Sequence, residues 1–163
     1  MVYHSPVGII KIKIQDNYIS EILYADDELG YEDDSAALSS KNKNLLKKVI
    51  GQFEEYFAGE RKVFDLPIQQ TGTSFQQKVW SELTKIPFGK TISYLQLAQR
   101  LGDVKSIRAA ASANGRNKLN IIVPCHRVIG SDGSLTGYGG GLPRKKWLLE
   151  HEAKIENGVA LLF

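Results

Sequence analysis

The sequence predicts two domains of different build, a small α/β unit over residues 1–70 and a mainly α unit over residues 71–163. Two observations set the division. Near the N-terminus apolar residues alternate with lysines and then recur at helical spacing, whereas after Gln70 the chain turns to short, capped helices. Charge divides at the same place: residues 1–70 hold eight Lys/Arg against twelve Asp/Glu, and residues 71–163 hold thirteen against six. Gln70-Thr71-Gly72-Thr73, polar and just ahead of a strong helix start, is the expected linker. With 163 residues, 42% of them hydrophobic, the chain can bury a real core.

In the first unit Ile10, Ile12 and Ile14 alternate with lysines, Asp16-Asn17 supplies turn chemistry, and Tyr18 to Tyr24 resumes an apolar run, which predicts a β-hairpin. Asp26 to Asp34 reads as an acidic loop. Leu45, Leu46, Val49, Ile50, Phe53, Tyr56 and Phe57 recur at helical spacing with Gly59 placed to end the helix, and a short strand is expected over Val63 to Leu66. Met1 to Ser20 contains no continuous apolar block, so neither a signal peptide nor a membrane span is expected, and the protein is expected to be cytoplasmic.

The second unit opens with Thr73 as N-cap, Gln76 three positions later, and an apolar stripe of Phe75, Val79, Trp80 and Leu83, closed by Pro87-Phe88-Gly89. Ser93 and Gln96 open a second helix with Leu97, Ala98 and Leu101, and Gly102 ends it. A third helix follows, Ser106 to Ala113, whose alanines leave its surface flat, with Asn114-Gly115 at its end. Two short helices joined by a Gly-containing turn, the second carrying Arg108, outline a helix-turn-helix, a pattern that plain packing units share. The positive balance of this half suits a phosphate-binding surface and equally a solvated basic face.

Ile121-Ile122-Val123 carries a buried-strand signal that stops at Pro124, and Cys125, His126 and Arg127 come next. Cys125 is the only cysteine, so it forms no internal disulfide and supplies no paired thiolates for a structural zinc site; packing, chance or reactivity must account for it. A strand end is a rigid mount, and a neighbouring imidazole or guanidinium favours the thiolate. A buried, inert cysteine is the plainer alternative. The final helix begins at Pro143, with Glu152 on the inward stripe of Leu148 and Leu149. An inward carboxylate needs a partner, and His126, Arg127 or another cation could supply it. Between the cysteine and this helix, Ser131-Asp132-Gly133 makes a tight turn. Thr136-Gly137-Tyr138-Gly139-Gly140-Gly141 forms a nearly side-chain-free loop, either a linker or a surface for a planar ligand beneath Tyr138.

These residues, Pro124-Cys125-His126-Arg127-Val128, the Gly-Tyr-Gly-Gly-Gly loop and Trp147-Leu148-Leu149-Glu150-His151-Glu152, resemble the O6-alkylguanine-DNA alkyltransferases, most strongly from Phe75 to Glu152. The resemblance implies an RNase H-like α/β fold for the first domain and a winged-helix-type, helix-turn-helix domain for the second. It implies direct-reversal repair by a monomer, in which an alkyl group passes from guanine O6 irreversibly onto Cys125. The partner is double-stranded DNA bound through its minor groove, with no cofactor, metal or membrane involved. Cys125 is then the acceptor, His126 draws its proton through a water and Glu152 holds the imidazole. Asn117 matches an asparagine that braces the active-site turn, and Tyr94 a tyrosine that crowds the target phosphate and assists departure of the guanine. Arg108 matches the arginine that fills the stack left by the flipped nucleotide, with Ala109, Ser112, Gly115 and Tyr94 on the DNA face. Val128, Tyr138, Gly139 and Gly140 are expected at the pocket.

Lys118 and Asn120 stand where relatives carry prolines, which makes the expected pocket wall less apolar, and Gly139 stands where some carry serine. Whether O4-alkylthymine is also accepted is left open. Three rivals are a lesion binder without repair, which lacks the cysteine, a DNA-binding regulator, and a cysteine hydrolase using Cys125, His126 and Glu152.

Overall fold

The computed structural model describes residues 1–27 and 33–158. Residues 28–32 of the acidic loop expected over Asp26 to Asp34 lie outside the described residues. The chain divides into two compact units, Met1–Gln70 and Thr71–Phe163.

In the first unit β1 (Val2–Ser5), β2 (Gly8–Gln15) and β3 (Tyr18–Ala25) form an antiparallel sheet in the order β1-β2-β3. The expected hairpin closes through Asp16 and Asn17, with φ of 53° and 67°, the left-handed pair that a two-residue hairpin turn requires. A register shift between Lys13 and Ile14 pairs Ile12 with Ile22 and Ile14 with Ile19. This bulge lets Ile19 and Ile22, three apart in sequence, face the core with Ile10, Ile12 and Ile14. Helix α1 (Ser40–Phe57) starts at the N-cap Ser39, whose hydroxyl accepts from the Asn42 amide at 3.2 Å. Its Val49, Phe53 and Tyr56 recur on one face and are fully buried, and Phe53 stacks on Tyr3 with ring centroids 5.9 Å apart.

The strand expected over Val63 to Leu66 does not form. Gln52, buried on α1, donates to the Asp65 carbonyl at 3.0 Å and accepts from its amide at 2.9 Å, so a side chain takes the hydrogen bonds a neighbouring strand would have taken. Val63 is left 76% exposed, and the pairing nearby is an isolated parallel bridge between Ile19 and Ile68.

In the second unit both expected capping boxes are present. Thr73 and Gln76 cap α2 (Ser74–Leu83), and Ser93 and Gln96 cap α3 (Tyr94–Arg100), each pair satisfying two orphan amides. Gly102 follows α3 with φ of 88°, and a 3₁₀ turn, Val104–Ser106, leads into α4 (Ile107–Gly115). The Trp80 indole donates to the Ala113 carbonyl at 2.9 Å, tying α2 to the end of α4. Two-residue strands β4 (Ile92–Ser93) and β5 (Val128–Ile129) pair in parallel, and α5 (Leu142–Asn157) ends the described chain. Among the described residues no helix is long and apolar enough to cross a membrane.

The strand expected over Ile121 to Val123 is also absent, and with it the strand end expected to mount Cys125. Leu119, Ile121 and Val123 are buried, but Ile121 lies at φ of 71°, a conformation a β-branched residue adopts only when its surroundings impose it. The backbone folds into successive turns, with Val123 N bonded to Leu119 O and Cys125 N to Val123 O, and Cys125–Arg127 forms a 3₁₀ turn. The apolar run is largely inward as expected, but hydrogen bonding to a nearby side chain sets its backbone.

Candidate active site

The turns before the cysteine are braced by one side chain. Asn117, buried at the end of α4, donates from Nδ2 to the Val123 carbonyl at 2.9 Å and accepts at Oδ1 from the Leu119 amide at 3.1 Å. Both ends of one amide are thus tied across the loop, which holds Ile121 in its strained conformation and fixes the direction in which Pro124 delivers the 3₁₀ turn.

That turn sends its three residues to different environments. His126 is fully buried, and its Nε2 lies 2.8 Å from Oε2 of Glu152 on α5. Arg127 donates from Nε to Glu152 Oε1 at 2.7 Å, from Nη2 to Oε2 at 3.1 Å and from Nη1 to the Ile86 carbonyl at 2.7 Å, with its guanidinium carbon 5.7 Å from the Phe88 ring centre. The inward carboxylate therefore has both partners that the sequence left open. Burial opposes the Glu152 charge, yet His126 and the Arg127 guanidinium hold its pKa well below the usual carboxylate range. Burial pushes the His126 imidazole down from its ordinary value against the pull of Glu152, so the ring is neutral near pH 7. A neutral ring facing a carboxylate carries its proton on Nε2, which leaves the lone pair on Nδ1. That Nδ1 is buried without a hydrogen-bond partner among the described residues.

Cys125 is 5% exposed. Burial pushes its thiol up from the ordinary value; a hydrogen bond with Asn117 and the charge of Lys145 pull the other way without cancelling it. Arg127, expected as a neighbour favouring the thiolate, is instead committed to Glu152 and Ile86.

Lys145 was not singled out from the sequence, where it is one of three consecutive basic residues. It is fully buried and donates from Nζ to the carbonyls of Val128 at 2.6 Å and Thr136 at 2.8 Å, with Nζ 5.9 Å from the Tyr94 ring centre. Burial lowers its pKa to about 8, against the opposing influence of Cys125. Its signal was its spacing, three residues before Leu148 and seven before Glu152, which places it on the inward stripe.

An open cavity of about 520 Å³ lies beside this cluster, lined by Tyr94, Ile107, Arg108, Ala111, Gly115, Thr136, Gly137 and Tyr138. Tyr94 links the two: its ring lines the cavity, its hydroxyl donates to the Thr136 carbonyl at 3.2 Å, and its phenol and the Cys125 sulfur act electrostatically on each other. Of the residues expected at the pocket, Tyr138 lines the cavity, Val128 is fully buried and pairs with Ile92, Gly139 is exposed, and Gly140 accepts from Arg144 at 3.1 Å. Arg108, Ala109, Ser112 and Gly115 are exposed together along α4. Among the described residues no group of three or more His, Cys, Asp or Glu side chains is placed to hold a metal ion.

Comparison with known proteins agrees over both units. Residues 1–70 match the model of the 6-O-methylguanine DNA methyltransferase ribonuclease-like domain, and residues 74–154 that of the DNA-binding domain of the same methyltransferase. The constitutive methylated-DNA–protein-cysteine methyltransferase of Bacillus subtilis is 43% identical over 137 residues, 83% of each chain. The methylated-DNA–protein-cysteine methyltransferase of Mycolicibacterium paratuberculosis is 38% identical over 98% of this chain and 94% of its own. Among solved structures, Mycobacterium tuberculosis OGT in complex with DNA aligns with a TM-score of 0.83 at 38% identity over 94% of this chain and 92% of that one. With a two-domain architecture of mixed α and β content matched along nearly its whole length, the chain belongs to the 6-O-methylguanine DNA methyltransferase family.

Proposed function

We propose that this protein repairs DNA by transferring the alkyl group of O6-alkylguanine irreversibly to its own Cys125. The observation that carries the reading is the buried His126–Glu152 pair directly after the single cysteine in the chain: it orients a neutral imidazole whose basic nitrogen has no partner among the described residues, and burial keeps the thiol of the preceding residue protonated at rest. Sulfur attacks the alkyl carbon as the carbon–O6 bond breaks. The electron pair of that bond leaves with the guanine, and the thiol proton, taken by His126 Nδ1 through a water, passes on to the departing base. The product thioether has no hydrolytic route in this site, so each molecule acts once.

The remaining residues take supporting roles. Glu152 orients His126, Asn117 braces the turn, and Tyr94 crowds the target phosphate from the cavity wall. Arg108, with Ala109, Ser112 and Gly115, meets the DNA, the small residues allowing α4 into a minor groove about 6 Å wide. Arg108 fills the gap left by the extruded nucleotide, which enters the cavity beside Tyr138 and the glycine loop. The first unit is RNase H-like, the second a winged-helix-type domain, and the protein works as a cytoplasmic monomer.

The test is stoichiometric. Duplex DNA in excess, carrying O6-methylguanine, loses one methyl group per protein molecule and then no more, while Cys125→Ser removes none. Continued turnover, or removal by the serine variant, overturns the reading.

A further inference from the structure

We propose that Arg127 is a positioning residue of the transfer reaction: its guanidinium locks the Glu152 carboxylate opposite His126 and supplies its counter-charge, which leaves the imidazole free to act as a neutral base. The proposal rests on the repair reading above and adds a fourth member to the Cys125, His126 and Glu152 group.

Arg127 follows His126 on the same 3₁₀ turn, and both side chains converge on Glu152 of α5. Nε reaches Oε1 at 2.7 Å and Nη2 reaches Oε2 at 3.1 Å, the forked donation to a carboxylate that the planar guanidinium is shaped to make. His126 Nε2 meets the same Oε2 at 2.8 Å, and Oε1 also accepts from the Gly89 amide at 3.5 Å. The carboxylate therefore cannot turn away from the imidazole without breaking the fork. The guanidinium is itself anchored, since Nη1 donates to the Ile86 carbonyl at 2.7 Å and the Phe88 ring centre lies 5.7 Å from its central carbon.

Charge gives the fork its consequence. His126 is 0% exposed, Glu152 1% and Arg127 6%, so water screens these groups little. An ionised glutamate facing only a neutral imidazole would be an uncompensated charge in a dry site, and such a carboxylate is neutralised by whatever cation or proton is nearest. Arg127 fills that need. Without it the proton would settle on the His126–Glu152 pair, and the base that takes the thiol proton would already be occupied. Burial is the largest influence against the charged imidazole; Glu152 favours that form, and Arg127 and Lys145 oppose it. Burial likewise opposes the Glu152 charge, while His126 and Arg127 favour it.

The experiment measures single-turnover methyl transfer from duplex DNA carrying O6-methylguanine, at saturating DNA, across pH 5 to 8 in wild type, Arg127→Gln and Arg127→Lys. Arg127→Gln keeps an amide donor and removes the charge, so the acid limb of its rate profile moves up by at least about one pH unit, the effect of losing an opposite charge at this range. Arg127→Lys keeps the charge and loses the fork: its limb stays at the wild-type position while its rate is lower by the same factor at every pH. The His126 proton is also followed by NMR of isotope-labelled histidine in unreacted protein, where the wild-type ring is neutral at pH 7 and titrates below the ordinary histidine range. A rate that falls in Arg127→Gln by one factor at all pH values, with no movement of the limb, overturns the proposal and leaves Arg127 as a structural tie between α5 and Ile86. A limb that moves equally in Arg127→Lys overturns it too. So does a wild-type His126 that is charged at pH 7, a result that needs no variant to fold. Absence of methyl transfer by the wild-type protein at every pH is a different failure, that of the repair reading, and the histidine titration still tests Arg127.

Discussion

Replacing Glu152 with Gln keeps the shape of the site and removes its one buried negative charge. In the native site Glu152 accepts from His126 at 2.8 Å and from Arg127 at 2.7 and 3.1 Å. A glutamine can accept from Arg127 through its oxygen, but its NH₂ then faces the Nε2–H of His126, and the imidazole relieves the clash only by moving its proton to Nδ1. That is the nitrogen whose lone pair must take the thiol proton. Positioned general-base catalysis contributes about 10²- to 10⁴-fold, so Glu152→Gln lowers the single-turnover rate of methyl transfer by at least about 10²-fold. Arg127, 6% exposed, meanwhile loses its counter-charge. Breaking a buried pair from one side costs about 3–5 kcal/mol, and at about 2–4 °C per kcal/mol in a protein of this size Tm falls by about 10 °C. The rate is measured well below the lowered Tm, by quenched-flow or gel assay of the residual O6-methylguanine. A folded Glu152→Gln protein that reacts within a few-fold of wild type refutes the tautomer argument, whatever its Tm.

Arg108→Ala slows transfer from duplex DNA by at least about tenfold, because extrusion of the nucleotide costs a few kcal/mol that Arg108 helps offset, and leaves transfer from the free base O6-benzylguanine unchanged; equal losses on both substrates contradict its place in the duplex. Lys145, with a folded pKa of about 8 against 10.5 unfolded, holds its proton less firmly in the native state, so its contribution to stability is poorest below pH 8 and improves as pH rises from about 8 to about 10.5. Thermal melts across that window then show the Tm difference between wild type and Lys145→Met moving in favour of wild type, by up to about 3 kcal/mol in stability; a flat difference contradicts a buried ammonium. Gly89→Ala destabilises by at least about 2 kcal/mol in chemical denaturation, since the added carbon meets Glu156 Cβ at 2.6 Å and the backbone there has φ of 77°; an unchanged midpoint shows that α5 can yield.

Much of the fold is legible in the sequence because each legible part is local. The Thr73–Gln76 and Ser93–Gln96 capping boxes, the Asp16-Asn17 hairpin turn and the left-handed Gly59 and Gly102 depend on residues a few positions apart, and all take the conformation their chemistry dictates. The inward aim of Glu152 is readable from helical spacing. Its choice between His126 and Arg127 is not, because that depends on how α5 meets a turn more than twenty residues earlier, and the structure gives it both. The two missing strands fail for one reason. At Asp65 and at Val123 a side-chain amide, from Gln52 and from Asn117, takes backbone hydrogen bonds that a local apolar run alone assigns to a neighbouring strand. Lys145 escaped notice because a residue type at a helix end says little about whether its polar atoms are paired; it read only as charge.

Everything in the repair reaction turns on one particular sulfur keeping the alkyl group. The protein is incubated with duplex DNA containing O6-methylguanine, digested, and the peptide bearing Cys125 is weighed and fragmented. A single methyl group is expected on the Cys125 sulfur, in proportion to the lesion lost from the DNA. Lesion loss with Cys125 unmodified, or a methyl group carried on any other residue, contradicts it.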